Sequence, residues 1–277
     1  MIHGSEVNDT APTGSTRCIP VDHAVEKSPA GRHRPRGDGA VGIDRPQHFD
    51  ESFAATNVLR TAGTESLLAA ARRHGIQRFV AQSFARRPYE RTGGAVKTEE
   101  DPLDPSPLPE MHESLDAIRT LEELVLDAGG IVLRCGGLYG SSEDAQLGLV
   151  RGRRFPIVGD GTGVTSYVHL GDATAATVLA VEQGIPGIYN IVDDEPARAS
   201  EWLPALAETI DGKAATPCSA PAPRCFAGDA GVMLMTESRG ASNAKAKREL
   251  GWKLQYPSWP TASVPPMRPN GPGRLDQ

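Results

Sequence analysis

Few residues of this chain combine a reactive type with a suitable setting, and most of them stand at the ends of short apolar runs. The run Ile76-Gln77-Arg78-Phe79-Val80-Ala81 ends in Gln82 and Ser83. A hydroxyl at the carboxyl end of a buried strand can touch a cofactor or substrate, or it can cap the next turn. Tyr89, in the following loop, is either a substitute phenol for acid–base work or a surface aromatic. A second run, Ile131-Val132-Leu133-Arg134-Cys135, puts a guanidinium inside a buried segment. That charge needs a carboxylate or a ligand phosphate beside it. Gly136 and Gly137 follow, where missing side chains permit backbone approach to a flat ring or a tight turn. His169 is the one histidine on a strand-like segment, set against a substrate or bonded to a neighbour. Arg151, Arg153 and Arg154 form a basic cluster, and Arg239 lies near Ser242 and Asn243; both suit phosphate or an exposed face. Asp172 reads as a helix N-cap. Asp193, Asp194 and Glu195 read as a solvated loop, since no partners at metal-ligand spacing accompany them.

The elements that must hold these residues alternate in type. Residues 50–74 have helical periodicity, with Phe53, Leu59, Leu67, Leu68 and Ala71 near one face and Gly75 as the stop. The run from Ile76 reads as a buried strand, and residues 85–109 as a loop. A helix at 111–127 carries Leu115, Ile118, Leu121, Leu124 and Val125 at i, i+3, i+4 spacing, and Gly129-Gly130 ends it. The run from Ile131 is the next strand. Short strands flank the Gly159-Asp160-Gly161 turn. A helix at 172–182, a strand at 188–192 and helices at 199–210 and 242–250 complete the series. Strand and helix alternating with short links imply an α/β fold built on a doubly wound parallel sheet, which binds ligands outside the carboxyl ends of its strands.

Composition is uneven. The chain has 277 residues and a formal net charge of −6. An acidic chain is poorly matched to polyphosphate, so nucleic acid is not an expected partner. No apolar run approaches the roughly 18 residues of a membrane span. The start lacks the basic and apolar stretches of a signal peptide, and the four cysteines form no CxxC pair. Free thiols in a cytoplasmic protein are the expectation. Residues 1–50 hold no leucine, four of the seven histidines and many small polar residues, and the first 47 of them form one such stretch. That stretch, 1–47, reads as irregular or disordered. Residues 259–277, rich in proline, read as a disordered tail. Residues 48–150 read as a nucleotide-binding portion, and 151–258 as a substrate-binding portion interleaved with the sheet.

Seven pieces in order resemble the NAD-dependent epimerase/dehydratase family of extended short-chain dehydrogenases/reductases. Asn57 with Gly63-Thr64 resembles its N…GT helix, and the strand through Gln82-Ser83 resembles the one ending in the active-site Ser/Thr. Glu122 resembles the glutamate of its active-site helix. Leu133-Arg134 with Tyr139-Gly140 resembles its LR…YG segment. Gly159-Asp160-Gly161 followed by Tyr167-Val168-His169, then Gly187 to Ile191, then the closing Lys245 to Trp252, resemble its later motifs. The resemblance implies NAD or NADP as cofactor, with Asn57, Gln82, Gly136 and Gly137 against it. It implies Ser83 as catalytic hydroxyl, and Arg134, Tyr139, Arg154, His169 and Arg239 around a small-molecule substrate such as a nucleotide-sugar. It implies no metal. A homodimer joined through long helices, one of them 111–127, is a further implication.

Two departures bear on the chemistry. Gly37-Asp38-Gly39-Ala40-Val41-Gly42 spells a dinucleotide fingerprint, but no apolar strand precedes it and Pro46 breaks any helix after it. The N-terminal half of the nucleotide fold is therefore expected to be incomplete. The family's Tyr-x-x-x-Lys pair, counted back from Glu122, falls on Ser114 and Ile118 or, with a shift of one residue, on Leu115 and Arg119. Its lysine lowers the tyrosine pKa and its tyrosinate moves the proton; neither residue is present. Two readings stand: an epimerase/dehydratase-like enzyme, or a non-catalytic scaffold of the same descent that binds a ligand or partner.

Overall fold

The computed structural model describes residues 49–85, 89–140, 150, 157–209, 217–218 and 223–259. The segment 1–47, the fingerprint at 37–42, the basic cluster with Arg154 and the tail beyond 259 lie outside the described residues.

The first helical span is α1 (Phe49–Val58), a π turn (Leu59–Gly63) and α2 (Thr64–Arg73). Gly75, at φ 64°, closes α2. Its amide donates to Arg72 and that of Ile76 to Ala71, the paired reversal that a left-handed glycine allows. The buried positions are Arg60, Thr64 and Leu68, of which only Leu68 belongs to the apolar stripe the periodicity suggests. Leu59 is only half-buried, because the π turn adds a residue and re-aims the helix.

β1 (Val80–Phe84) follows, then the two-residue β2 (Val96–Lys97) and α3 (His112–Asp127). Next come β3 (Ile131–Cys135), β4 (Gly137–Tyr139), β5 (Ile157–Val158), β6 (Val164–Thr165), β7 (Tyr167–His169) and α4 (Leu170–Gln183). β8 (Gly187–Ile191), β9 (Ala197–Arg198), α5 (Ala199–Thr209) and β10 (Pro217–Cys218) lead to α6 (Pro223–Thr236), which is broken at Gly228. β11 (Gly240–Ala241) and α7 (Ala244–Leu250) end the series.

The organising unit is a parallel sheet in the order β1-β3-β8. Both links are helical crossovers, as parallel pairing requires. Strand alternation divides the core. Ala81 and Val132 meet Leu121 and Val125 of α3. Ile131, Leu133 and Cys135 join Ala176 and Ala180 of α4 with Leu250 and Trp252. Helices therefore cover both faces, and the sheet is doubly wound. A second core, from Tyr167, Trp202, Leu203 and Trp259 among others, fills the space beyond the sheet. Trp259, placed in the tail by composition, is buried there. Cys135 is buried and forms no disulfide. Among the described residues no helix is long and apolar enough to cross a membrane.

Candidate active site

Register aligns three polar residues in one row across the sheet: Ser83 beside Arg134, and Arg134 beside Asn190. Glu122 descends onto this row from α3. Its Oε1 accepts from Ser83 Oγ at 2.7 Å and from Arg134 Nε at 2.8 Å, and its Oε2 accepts from Arg134 Nη2 at 2.6 Å. Arg134 Nη1 donates to the Tyr89 hydroxyl at 3.1 Å, which donates to Asn190 Oδ1 at 2.5 Å. Burial, the largest influence, lowers the Arg134 pKa. The hydrogen bonds and charge of Glu122 outweigh that, with help from Tyr89, and hold the guanidinium above its ordinary range. Burial raises the Tyr89 phenol, with Arg134 opposing. Tyr89 is thus a core residue rather than a surface aromatic, at 3% exposure.

One residue further along β1 the chemistry changes. Phe84 lines a small, partly open cleft together with Arg60, Met111, Ser114, Leu115 and Ile118. Ser114 and Ile118, which the resemblance sets at the family's Tyr and Lys positions, both line this space, as does Phe84, next to Ser83 on β1. Ser114 Oγ donates to Asp50 Oδ1 at 2.6 Å and accepts from Asn57 Nδ2 at 3.2 Å. Asp50 also takes the amides of Glu113 and Ser114, so it caps α3 from a distant helix. Asn57 Oδ1 is left buried with no donor.

The remaining expected residues separate into other places. Gln82 is half-buried on β1. The amide of Gly136 donates to Ile191 and that of Gly137 to Ser166. A Cβ on Gly136 would stand 2.8 Å from the Ser166 carbonyl, so strand packing already explains that glycine. Tyr139 and His169 are register partners on β4 and β7, with their rings edge to face. His169 Nδ1 accepts from Gly171 at 3.1 Å, and its ring stacks on Tyr256. His169, not Asp172, therefore caps α4. Asp172 instead takes the amides of Gln255 and Tyr256. Arg239 donates to the Arg91 carbonyl, and its Nε lacks an acceptor. Asp193 is buried, not solvated, and accepts from the amides of Glu195 and Trp259. Among the described residues no group of His, Cys, Asp and Glu could hold a metal ion. Arg60 and Phe84 are the wall residues that periodicity missed. A π turn cannot be seen in a 3.6 repeat, and alternation does not say which of two neighbours meets the cleft.

No family model matches the chain. A curated relative does: the 3-diazoavenalumate denitrifying reductase of a Streptomyces species is 41% identical over 227 residues, 76% of this chain and 71% of the relative. The chain belongs to the NAD-dependent epimerase/dehydratase family of extended short-chain dehydrogenases/reductases. The dTDP-glucose 4,6-dehydratase of Streptomyces griseus is 30% identical over 169 residues, and the chain spans 50% of its length. Solved structures agree on the fold. UDP-glucose 4-epimerase of Thermotoga maritima, solved with UDP-glucose, superposes at TM-score 0.60 with 18% identity, over 84% of this chain and 74% of that one. A dTDP-glucose 4,6-dehydratase of Streptomyces venezuelae, solved with NAD, gives 0.58 with 21% identity, over 77% and 65%.

The family implies a nicotinamide nucleotide. The described residues fit its nicotinamide end: apolar walls suit a flat ring, and the donor-less Asn57 Oδ1 beside Ser114 suits a ribose hydroxyl or carboxamide.

Proposed function

We propose that this protein is a nicotinamide-dependent reductase-type member of its family, acting on a small apolar substrate without a tyrosine proton relay. The observation that carries the reading is the cleft itself, where Phe84, Ser114 and Ile118 stand at or beside the family's catalytic positions. Epimerising or dehydrating a nucleotide-sugar requires a base to take a hydroxyl proton. Ser114 cannot take that role, because its own proton is committed to Asp50. Ile118 offers no ammonium to lower a neighbour's pKa.

Reduction is less demanding. A dihydronicotinamide supplies a hydride when bound, and at a carbon bearing a diazonium group its delivery releases N2 with no proton required from the protein: R–N2⁺ plus NAD(P)H gives R–H, N2 and NAD(P)⁺. The named activity of the 41% identical relative, a denitrifying reductase of a diazo compound, supports this class. In this chain Phe84, Leu115 and Ile118 would exclude water and press an aromatic ring flat. Asn57 and Ser114 would hold the ribose end. Ser83 has no part in the transfer on this reading and serves the sheet through Glu122.

The test incubates the full chain with an arenediazonium salt and NADH or NADPH deuterated at the hydride position. Deuterated arene and N2 in equal amounts, above the uncatalysed rate, are expected. Turnover of dTDP-glucose instead would reinstate the nucleotide-sugar reading. Failure to bind either nicotinamide at millimolar concentration would favour the non-catalytic scaffold.

A further inference from the structure

We infer that Met233 is the specificity-determining residue of this cleft, and that it limits an aromatic substrate to the width of a single ring. The inference deepens the reductase reading and rests on its assignment of the cleft to an aromatic substrate.

Among the described residues that line the cleft, Met233 alone lies later in the chain than Ile118. It reaches the wall from α6. Gly228, at φ 61° and ψ 179°, breaks α6, so the turns after it start at a new angle. Both ends of those turns are tied to the wall. The Ala230 amide donates to Glu110 Oε1 at 3.1 Å, next to Met111 of the wall. Past the helix, Glu237 pairs with Arg91 Nη1 at 2.8 Å, and the same guanidinium holds Asp104 of the wall through Nε at 3.0 Å. The amides of Glu237 and Ser238 both donate to the Met233 carbonyl and close the last turn on that residue. The backbone that carries Met233 is therefore fixed against the cleft, and its side chain is the adjustable part.

That side chain packs in one buried cluster with Met111 and Ala230, with Phe53 and Leu108 against it. Two thioethers thus share one part of the wall. A thioether has three rotatable bonds and a polarisable sulfur, and it makes favourable contact with the edge of an aromatic ring. The hydroxyls of a sugar would find no partners on it. Phe84, Leu115 and Ile118 stand instead on β1 and α3, which the Ser83–Glu122 hydrogen bond locks together. In a small, partly open cleft with those walls set, Met233 is where the width is decided.

The full chain is titrated by isothermal calorimetry with trans-cinnamamide and with its wider analogue, 3-(2-naphthyl)acrylamide. The native chain is expected to bind the phenyl compound more tightly. Met233→Ala should raise the affinity for the naphthyl compound, relative to the phenyl one, at least tenfold. Met233→Leu, of similar volume, should leave that ratio within threefold. Equal or reversed affinities in the native chain, no binding of either amide, a smaller shift in Met233→Ala, or the same shift in Met233→Leu each overturn the inference. If Met233→Ala does not fold, Met233→Val decides, with a shift of at least threefold in the same direction expected. The ratio shift without hydride transfer sinks the reductase reading alone; transfer without the ratio shift sinks this one alone.

Discussion

Ser83 and Phe84 are consecutive on β1, and Ile118 and Glu122 are one turn apart on α3, yet the two pairs belong to different regimes. Ser83 and Glu122 join a closed polar row in which the ion pair is satisfied on both sides. Phe84 and Ile118 face a cleft whose walls are mostly apolar, with Arg60, Asp104 and Ser114 as the polar exceptions. On the proposed reading the row keeps the family's Glu and Arg, and the cleft has exchanged the family's Tyr and Lys. The same two elements thus preserve a scaffold on one side and alter a chemistry on the other. The difference follows from coupling. Each residue of the row is bonded to at least one other, so a single change leaves a buried charge or polar group without its partner. Each wall residue of the cleft can be exchanged at the cost of its own packing.

The most severe way to test this contrast is Glu122→Ala. It strands Arg134 in the core and leaves Ser83 without its acceptor, for a loss of about 3–5 kcal/mol in urea unfolding. Replacing both partners, Glu122→Leu with Arg134→Met, should recover most of that loss, since the cost comes from the orphaned charge. A loss below about 1 kcal/mol for Glu122→Ala would remove the row from its supporting role.

A gentler cut falls on the same row. Tyr89→Phe keeps the ring and removes the hydroxyl that joins Arg134 to Asn190. The expected loss is about 1–3 kcal/mol, measured in the same way. The cleft should respond in the opposite sense. Phe84→Ala should weaken aromatic ligand binding about tenfold, and stability should fall by no more than about 2 kcal/mol because the ring is only half-buried. If Phe84→Ala unfolds the chain while binding per folded molecule is unchanged, the two regimes are not distinct.

Much of the scaffold was legible in the sequence because its signals are long or unambiguous. The strands at 80–84 and 131–135 and the helix at 112–127 show their period directly, and the buried Arg134 announced a partner, met by Glu122. The two-residue pairings of β2 with β11 and of β6 with β9 are too short for any period. The site was less legible. Alternation marks the end of β1 but cannot choose between Ser83 and Phe84. The π turn hid Arg60 among residues read as an apolar stripe. Asp172 and Asp193 looked like local features, a cap and a solvated loop, because their partners are the amides of residues 255–259, more than 60 positions away.

Asp193 supplies the smallest effect and a further contrast, since among the described residues no cation pairs with its carboxyl as Arg134 pairs with Glu122. Burial, the largest influence, pushes its carboxyl up to about 7. The amides of Glu195 and Trp259 pull the other way, and the charges of Glu195 and Asp194 add to the rise. In the unfolded chain the group titrates near its ordinary 3.8. Between those values the folded protein keeps a proton that the unfolded chain has released, so folding takes up a proton. The contribution to stability is therefore full below about pH 4 and is lost as pH rises toward 7, above which the penalty is constant. Asp193→Asn removes the titration and gives up one amide acceptor. Subtracting the variant's melting temperature from that of the native chain isolates the group from other ionisations. That difference should fall as pH rises from 4.5 to about 7.5, by a few degrees. A difference that stays level across the window would mean that Asp193 keeps its charge, and that some cation satisfies it as Arg134 is satisfied by Glu122.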